Sequence, residues 1–169
     1  MKTLRRIGWV ILVCVVLLGG FWQVVRADAE KEQPGESLIA AVVEKAVLRA
    51  HDELIAAAEK RDAEAMFSYI LDSEKCVIIQ GGQMMSRQDA LEQIRQAFER
   101  VSTIKYDFKQ RRVHLLSPTI AIMTSTGTNT TTIPTGETFT AEFANSSVFV
   151  LGEGGWKIIH GHHSTPNDN

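Results

Sequence analysis

From residue 38 onward the apolar positions recur at helical spacing; beyond residue 103 they alternate. Ile39, Val42, Val43, Ala46, Val47, Ala50, Leu54, Ala57 and Ala58 fall on one broad face between Leu38 and Lys60. That period predicts a long helix with Ser37 as its N-cap. Asp62 restarts the chain as a second N-cap, and Ala63 to Leu71 reads as a shorter helix. Cys76 to Gln80 reads as a short strand turned by Gly81-Gly82. Ser86-Arg87-Gln88-Asp89 has the form of a capping box, and a third helix runs from it to about Arg100, burying Ala90, Leu91, Ile94, Ala97, Phe98 and Val101. Four β-branched, alternating stretches follow: Ile104 to Leu116, Thr119 to Thr131, Thr138 to Leu151 and Trp156 to Ser164. Ser117-Pro118, Ile133-Pro134-Thr135-Gly136 and Gly152-Glu153-Gly154-Gly155 supply the turns between them. Helices first and an antiparallel meander afterwards define the α+β class, a curved sheet with helices on one face.

The first residues do not share this pattern. Met1 to Arg6 carries three basic residues, Ile7 to Trp22 is almost wholly apolar, and Val25-Arg26-Ala27 offers a cleavage signature. Residues 1–27 read as a secretory signal peptide, with an uncleaved N-terminal membrane anchor as the alternative. Residues 28–36 form a polar linker, residues 37–166 the folded domain and residues 167–169 a tail. The expected location is therefore periplasmic or secreted, or outside the cytoplasm on an inner-membrane anchor. Loss of residues 1–27 leaves 14 basic against 20 acidic residues, a net charge of −6. Such a surface does not attract nucleic acid, and Arg111-Arg112 is too short to make a basic patch. Cys76 is then the remaining cysteine, with no partner for an internal disulfide; it opens an apolar run and reads as a buried thiol.

Three segments carry a family resemblance. Lys60-Arg61-Asp62-Ala63-Glu64-Ala65 resembles the turn between the first two helices of the nuclear transport factor 2-like (NTF2-like) superfamily, with Arg61 where a glycine is common. Gln80-Gly81-Gly82 followed by Ser86 to Leu91 looks like its strand-turn-helix step. Trp156-Lys157-Ile158-Ile159-His160-Gly161-His162-His163-Ser164-Thr165-Pro166 is similar to the last strand of SnoaL-like proteins, and more closely to the end of the association domain of calcium/calmodulin-dependent protein kinase II. The resemblance covers about residues 38–166. It implies a cone-shaped, cystatin-like fold: three N-terminal helices packed on a strongly curved antiparallel sheet, with a pocket open at one end. It further implies dimerisation through the sheet, to a homodimer or a higher homo-oligomer. It is poor for function, because the superfamily hosts isomerases, dehydratases, cyclases and binding modules.

The candidate chemistry gathers at the last strand. Without a bulge, Trp156, Ile158, His160 and His162 share one face and Lys157, Ile159, Gly161 and His163 the other. By the resemblance, His163 takes the place of a pocket arginine, and two further pocket arginines map near Ser147 and Thr126. The implied pocket is thus His163, Ser147, Thr126 and Ile159, without the basic cluster that would hold a carboxylate. His160 and His162 are spaced to face one ion, but zinc needs a third ligand and nothing in the spacing requires His114 to supply it, so no metal and no cofactor is assigned. The catalytic candidates are His163, Asp52 and Glu142, none within a catalytic motif. His51 is placed to pair with a neighbouring carboxylate, and Asp107 falls with the lysines on a polar face. Two functions follow. One is an exported domain that binds a small organic molecule or associates with a partner, with no catalysis assigned. The other is a SnoaL-like or ketosteroid isomerase-like lyase or isomerase that uses a pocket carboxylate and His163. A carboxylate within reach of His163 in an apolar cavity favours the enzyme; a cavity of uncharged donors favours binding.

Overall fold

A computed structural model describes residues 34–166 of the chain. The segments read as export signal, linker and tail lie outside the described residues, apart from the linker's last three. Helix α1 runs Pro34–Glu59, α2 Ala63–Phe67 and α3 Arg87–Glu99. The strands are β1 Val77–Gln80, β2 Gln83–Ser86, β3 Thr103–Ser117, β4 Ile120–Thr132, β5 Thr138–Gly152 and β6 Gly155–Ser164. They form one curved, unclosed sheet in the order β2-β1-β6-β5-β4-β3. All neighbours are antiparallel except β1 and β6, which run parallel. A compact unit begins at Leu38. No helix among the described residues is long and apolar enough to cross a membrane.

Local chemistry explains the helix ends. Asp62 accepts the Ala65 amide at 2.9 Å and opens α2. Ser86 accepts the Asp89 amide at 3.1 Å, while its hydroxyl donates to Asp89 Oδ2 at 2.7 Å, which opens α3 as its sequence predicts. At the end of α1 the Arg61 amide reaches Ala58 O and the Asp62 amide reaches Ala57 O, the paired bonds of a Schellman cap. That cap puts Arg61, in the position the resemblance associates with glycine, at φ 58°. Its guanidinium donates to Val101 O at 2.9 Å, which offsets part of the backbone strain.

Three elements depart from the sequence pattern. Helix α1 starts four residues early, with Pro34 in the first turn where a missing amide costs nothing. Its packed face begins only at Val43; Leu38, Ile39 and Val42 are exposed, so the apolar stripe is longer than the surface it covers. Helix α2 stops at Phe67 rather than Leu71, because Tyr69 to Leu71 bond sideways to β6: Ile158 N–H donates to Tyr69 O and Leu71 N–H to Ile158 O, both at 2.8 Å. Strand β2 was not predicted. It pairs with β1 through a two-residue turn whose glycines, Gly81 and Gly82, both have positive φ.

The core lies between the helices and the concave face of the sheet. Val47, Leu54 and Ala58 of α1 meet Phe67, Leu91 and Phe98 below, and Met123, Phe149, Trp156 and Ile158 from the sheet. Cys76 is buried there as a free thiol, its pKa raised chiefly by burial.

Candidate ligand-binding site

The concavity does not fill completely. A cavity of about 200 Å³ remains between the three helices and the middle of the sheet. From the helices it is lined by His51, Leu54 and Ile55 of α1, by Met66 and Phe67 of α2, and by Ala90, Gln93 and Ile94 of α3. The sheet adds Ile78 and Gln80 of β1 and Tyr106 and Phe108 of β3. Strand β4 adds Ser125 and Asn129, and β5 adds Phe143, Asn145 and Ser147. Strand β6 contributes Ile158, Gly161 and His163. The exposed Gln80 and Gln93 sit where the cavity meets solvent.

Two β-bulges decide which side chains these are. On β6 the partners jump from Val148↔His160 to Phe149↔Ile158, so Ile159 is an extra residue. Trp156 and Ile158 therefore face inward before the bulge and Gly161 and His163 after it, although their parities differ. On β3 the partners jump from Phe108↔Gly127 to Gln110↔Thr126, so Lys109 is extra. The β3 strand presses close to β4 here. A Cβ on Gly127 would lie 2.2 Å from Asp107 O, which reserves that position for glycine.

The aromatic side chains form a continuous run along the cavity. His51 meets Phe108 edge-on with centroids 5.1 Å apart, and Phe108 meets Phe143 edge-on at 5.6 Å. His163 lies nearly parallel to Phe143 at 5.6 Å and an interplanar angle of 27°. Tyr106 closes the cluster against both phenylalanines.

These groups are uncharged at neutral pH. His51 is 3% exposed, and its pKa falls to about 4, first through burial and then through the Arg111 charge, against a smaller opposing effect of Asp52. Arg111 Nη1 stands 3.5 Å from His51 Nδ1. A guanidinium only donates, so the imidazole accepts at Nδ1 and keeps its proton on Nε2. Burial, and then neighbouring His162, lower the pKa of His163 as well. Burial raises that of Tyr106, with a smaller push from Glu59. Among the described residues, neither a carboxylate nor a Lys or Arg side chain lines the cavity.

Of the residues read from the sequence, His163 and Ser147 line the cavity. Ser147 is 2% exposed and accepts a hydrogen bond from Asn145 Nδ2 at 3.1 Å. The other assignments need correction. Thr126 is exposed, because on β4 the inward positions are Ala121, Met123 and Ser125, and a slip of one residue changes the face. Ile159 is the bulged residue and is not part of the lining. Asp52 lies outside the lining, ion-paired with Arg111, whose guanidinium also covers the Phe108 ring at 5.1 Å. Glu142 is exposed, outside the lining, and accepts from Lys109 Nζ at 2.6 Å, the main cause of its lowered pKa. Among the described residues, no carboxylate therefore lines the cavity beside His163. Among the described residues, no three His, Cys, Asp or Glu side chains gather as a metal-ligand set. Sequence reasoning missed Ser125, Asn145 and the aromatic run. Asn145 was within reach, two residues before Ser147 on the same strand face; Ser125 required the register of β4.

A curved, unclosed six-strand sheet over three helices, with a cavity in its concavity, defines an NTF2-like domain. The chain belongs to the SnoaL-like domain family, whose model matches residues 47–168. No curated protein matches it significantly. Several solved structures share the fold. An NTF2-like superfamily protein from Salmonella enterica serovar Typhimurium is 15% identical, with a TM-score of 0.66 over 79% of this chain and 94% of that one. The association domain of Caenorhabditis elegans calcium/calmodulin-dependent protein kinase II is 18% identical, with a TM-score of 0.62 over 75% of this chain and 98% of that one. A hexachlorocyclohexane dehydrochlorinase is 10% identical, with a TM-score of 0.66 over 78% and 90%.

Proposed function

We propose that this chain is an exported small-molecule-binding domain that self-associates through its sheet. The observation that carries the reading is the cavity: apolar and aromatic walls, a few amide, hydroxyl and imidazole groups, and, among the described residues, no charged side chain in the lining. Export is supported by the basic and then apolar character of residues 1–27. Self-association is supported by likeness to an association domain and by Leu116 and Ile120, which are exposed on the sheet. Native mass spectrometry of the freshly purified full chain tests both parts at once. The expected species is a dimer or larger assembly that carries a small-molecule adduct. A strictly monomeric, adduct-free particle at high concentration overturns the reading.

A lyase or isomerase is the second reading, favoured by the fold shared with a dehydrochlorinase and by a neutral imidazole in the cavity. With Asp52 and Glu142 held elsewhere, His163 is the base such an enzyme would use. His163→Ala is expected to weaken ligand binding and leave folding intact, since the ring is only partly buried and is stacked on one neighbour. If the substitution unfolds the chain, His163 is structural and its place in the site is lost.

A further inference from the structure

We propose that the concave face carries a hydrogen-bonding rung, Ser125–Asn145–His163–Gln80, that reads a hydroxyl or carbonyl group on an uncharged ligand, with Ser125 setting the specificity. The inference rests on the small-molecule reading above. Its starting point is Ser125: the residue is 3% exposed, lines the cavity, and its Oγ has no hydrogen-bond partner among the described residues. A buried hydroxyl without a partner is disfavoured, so a fold that keeps one at a cavity wall points to a partner from the ligand.

The register gives Ser125 companions. Ser125 pairs with Asn145, Asn145 with His163, and His163 with Gln80, so four adjacent strands each bring one polar side chain to the same level. All four line the cavity. Asn145 donates one amide hydrogen to Ser147, which leaves its carbonyl oxygen as an acceptor and its second N–H as a donor. Arg111 continues the same level beyond Ser125, but Asp52 holds its guanidinium. A charged ligand group at the rung would therefore be desolvated with no counter-charge, whereas a neutral donor or acceptor would be satisfied. Next to the rung, Phe108 and Phe143 present rings, so the remainder of the ligand is apolar.

Three probes of one shape separate the possibilities: 2-naphthol, naphthalene and 2-naphthoate, titrated by calorimetry into the full chain and into its Ser125→Ala variant. The expected order is 2-naphthol tightest. Ser125→Ala should weaken 2-naphthol about five- to tenfold, the equivalent of one hydrogen bond, and leave naphthalene unchanged. Equal affinities for 2-naphthol and naphthalene, unaltered by the substitution, overturn the rung but leave the cavity as a binding site. Tightest binding of 2-naphthoate overturns the uncharged ligand class. If none of the three binds, the adduct seen by native mass spectrometry replaces them. An uncharged adduct lost from Ser125→Ala supports the rung, and one retained equally, or a charged one, overturns it. Absence of both probe binding and adduct removes the underlying reading and the rung together. Ser125→Cys, which keeps the side-chain shape in a slightly larger group and weakens the hydrogen bond, serves the same comparison should the alanine variant not fold.

Discussion

Two buried serines on neighbouring strands face one cavity with opposite bonding states, and alanine substitutions should therefore move stability in opposite directions. Ser125 Oγ has no hydrogen-bond partner among the described residues, while Ser147 Oγ accepts from Asn145. Ser125→Ala removes a hydroxyl whose unpaired burial costs about 1–3 kcal/mol. The loss of one oxygen beside an existing cavity adds little void, and the weaker strand propensity of alanine offsets a few tenths of that gain. The net expectation is a gain of about 1 kcal/mol, a rise in Tm of roughly 4 °C for a domain of this size. Ser147→Ala removes an accepted hydrogen bond and leaves the Asn145 amide short of a partner, a loss of about 1 kcal/mol. Urea unfolding of the full chain at pH 7, followed by far-ultraviolet circular dichroism, gives both numbers. The midpoints should shift in opposite senses with the slope unchanged. If Ser125→Ala loses more than about 0.5 kcal/mol, the hydroxyl is bonded in the folded protein and the argument that it awaits a ligand collapses.

Acid should unfold the domain through His51. Between pH 6.5 and about 4 the unfolded chain binds a proton there that the folded chain refuses, so stability rises with pH across that window and is lost on acidification, by up to about 3 kcal/mol. His163 acts in the same direction, and His51→Leu should flatten the profile by about one proton; an unchanged slope would refute the assignment. Gly127→Ala should cost about 1–3 kcal/mol in the same urea assay, because the new Cβ meets the Asp107 carbonyl rather than a movable side chain. Glu142→Gln should leave both ligand affinity and Tm unchanged, as its ion pair with Lys109 stands in solvent outside the cavity. Loss of binding or of any measured turnover in that variant would restore Glu142 as a functional residue.

The hydrophobic pattern was enough for the long elements. The four long strands end within two residues of where alternation and turn residues put them, and both Asp62 and Ser86 cap the helices they were expected to cap. Strand β2 was not legible because Gln83-Met84-Met85-Ser86 has no apolar face, and Met84 is exposed; a glycine turn and one partner strand create it. The site was half legible for a related reason. Alternation states which residues share a face only until a bulge resets it. Ile159 and His163 share a parity, yet only His163 lines the cavity, because the bulge falls between Ile158 and His160. Such a slip has no signature in a single sequence, since it depends on the partner strand and on the close packing beneath it.

The bulge at Lys109 has the larger consequence, because it settles what becomes of both carboxylates that could have served a base. Simple alternation from the inward-facing Phe108 would turn Gln110 into the concavity and Arg111 out to solvent. The extra residue reverses this. It leaves Lys109 outside, within reach of Glu142, and brings Arg111 to the level of Ser125, beside His51 and Asp52. Each candidate carboxylate thereby acquires a cation from the same three-residue stretch, and neither joins the lining that includes His163. The positive charge of Arg111 is in turn spent on Asp52 and helps to hold His51 neutral. A single inserted residue, made possible by the missing side chain at Gly127, thus gives the cavity its uncharged lining. That lining, rather than any one histidine, is what favours recognition over proton transfer.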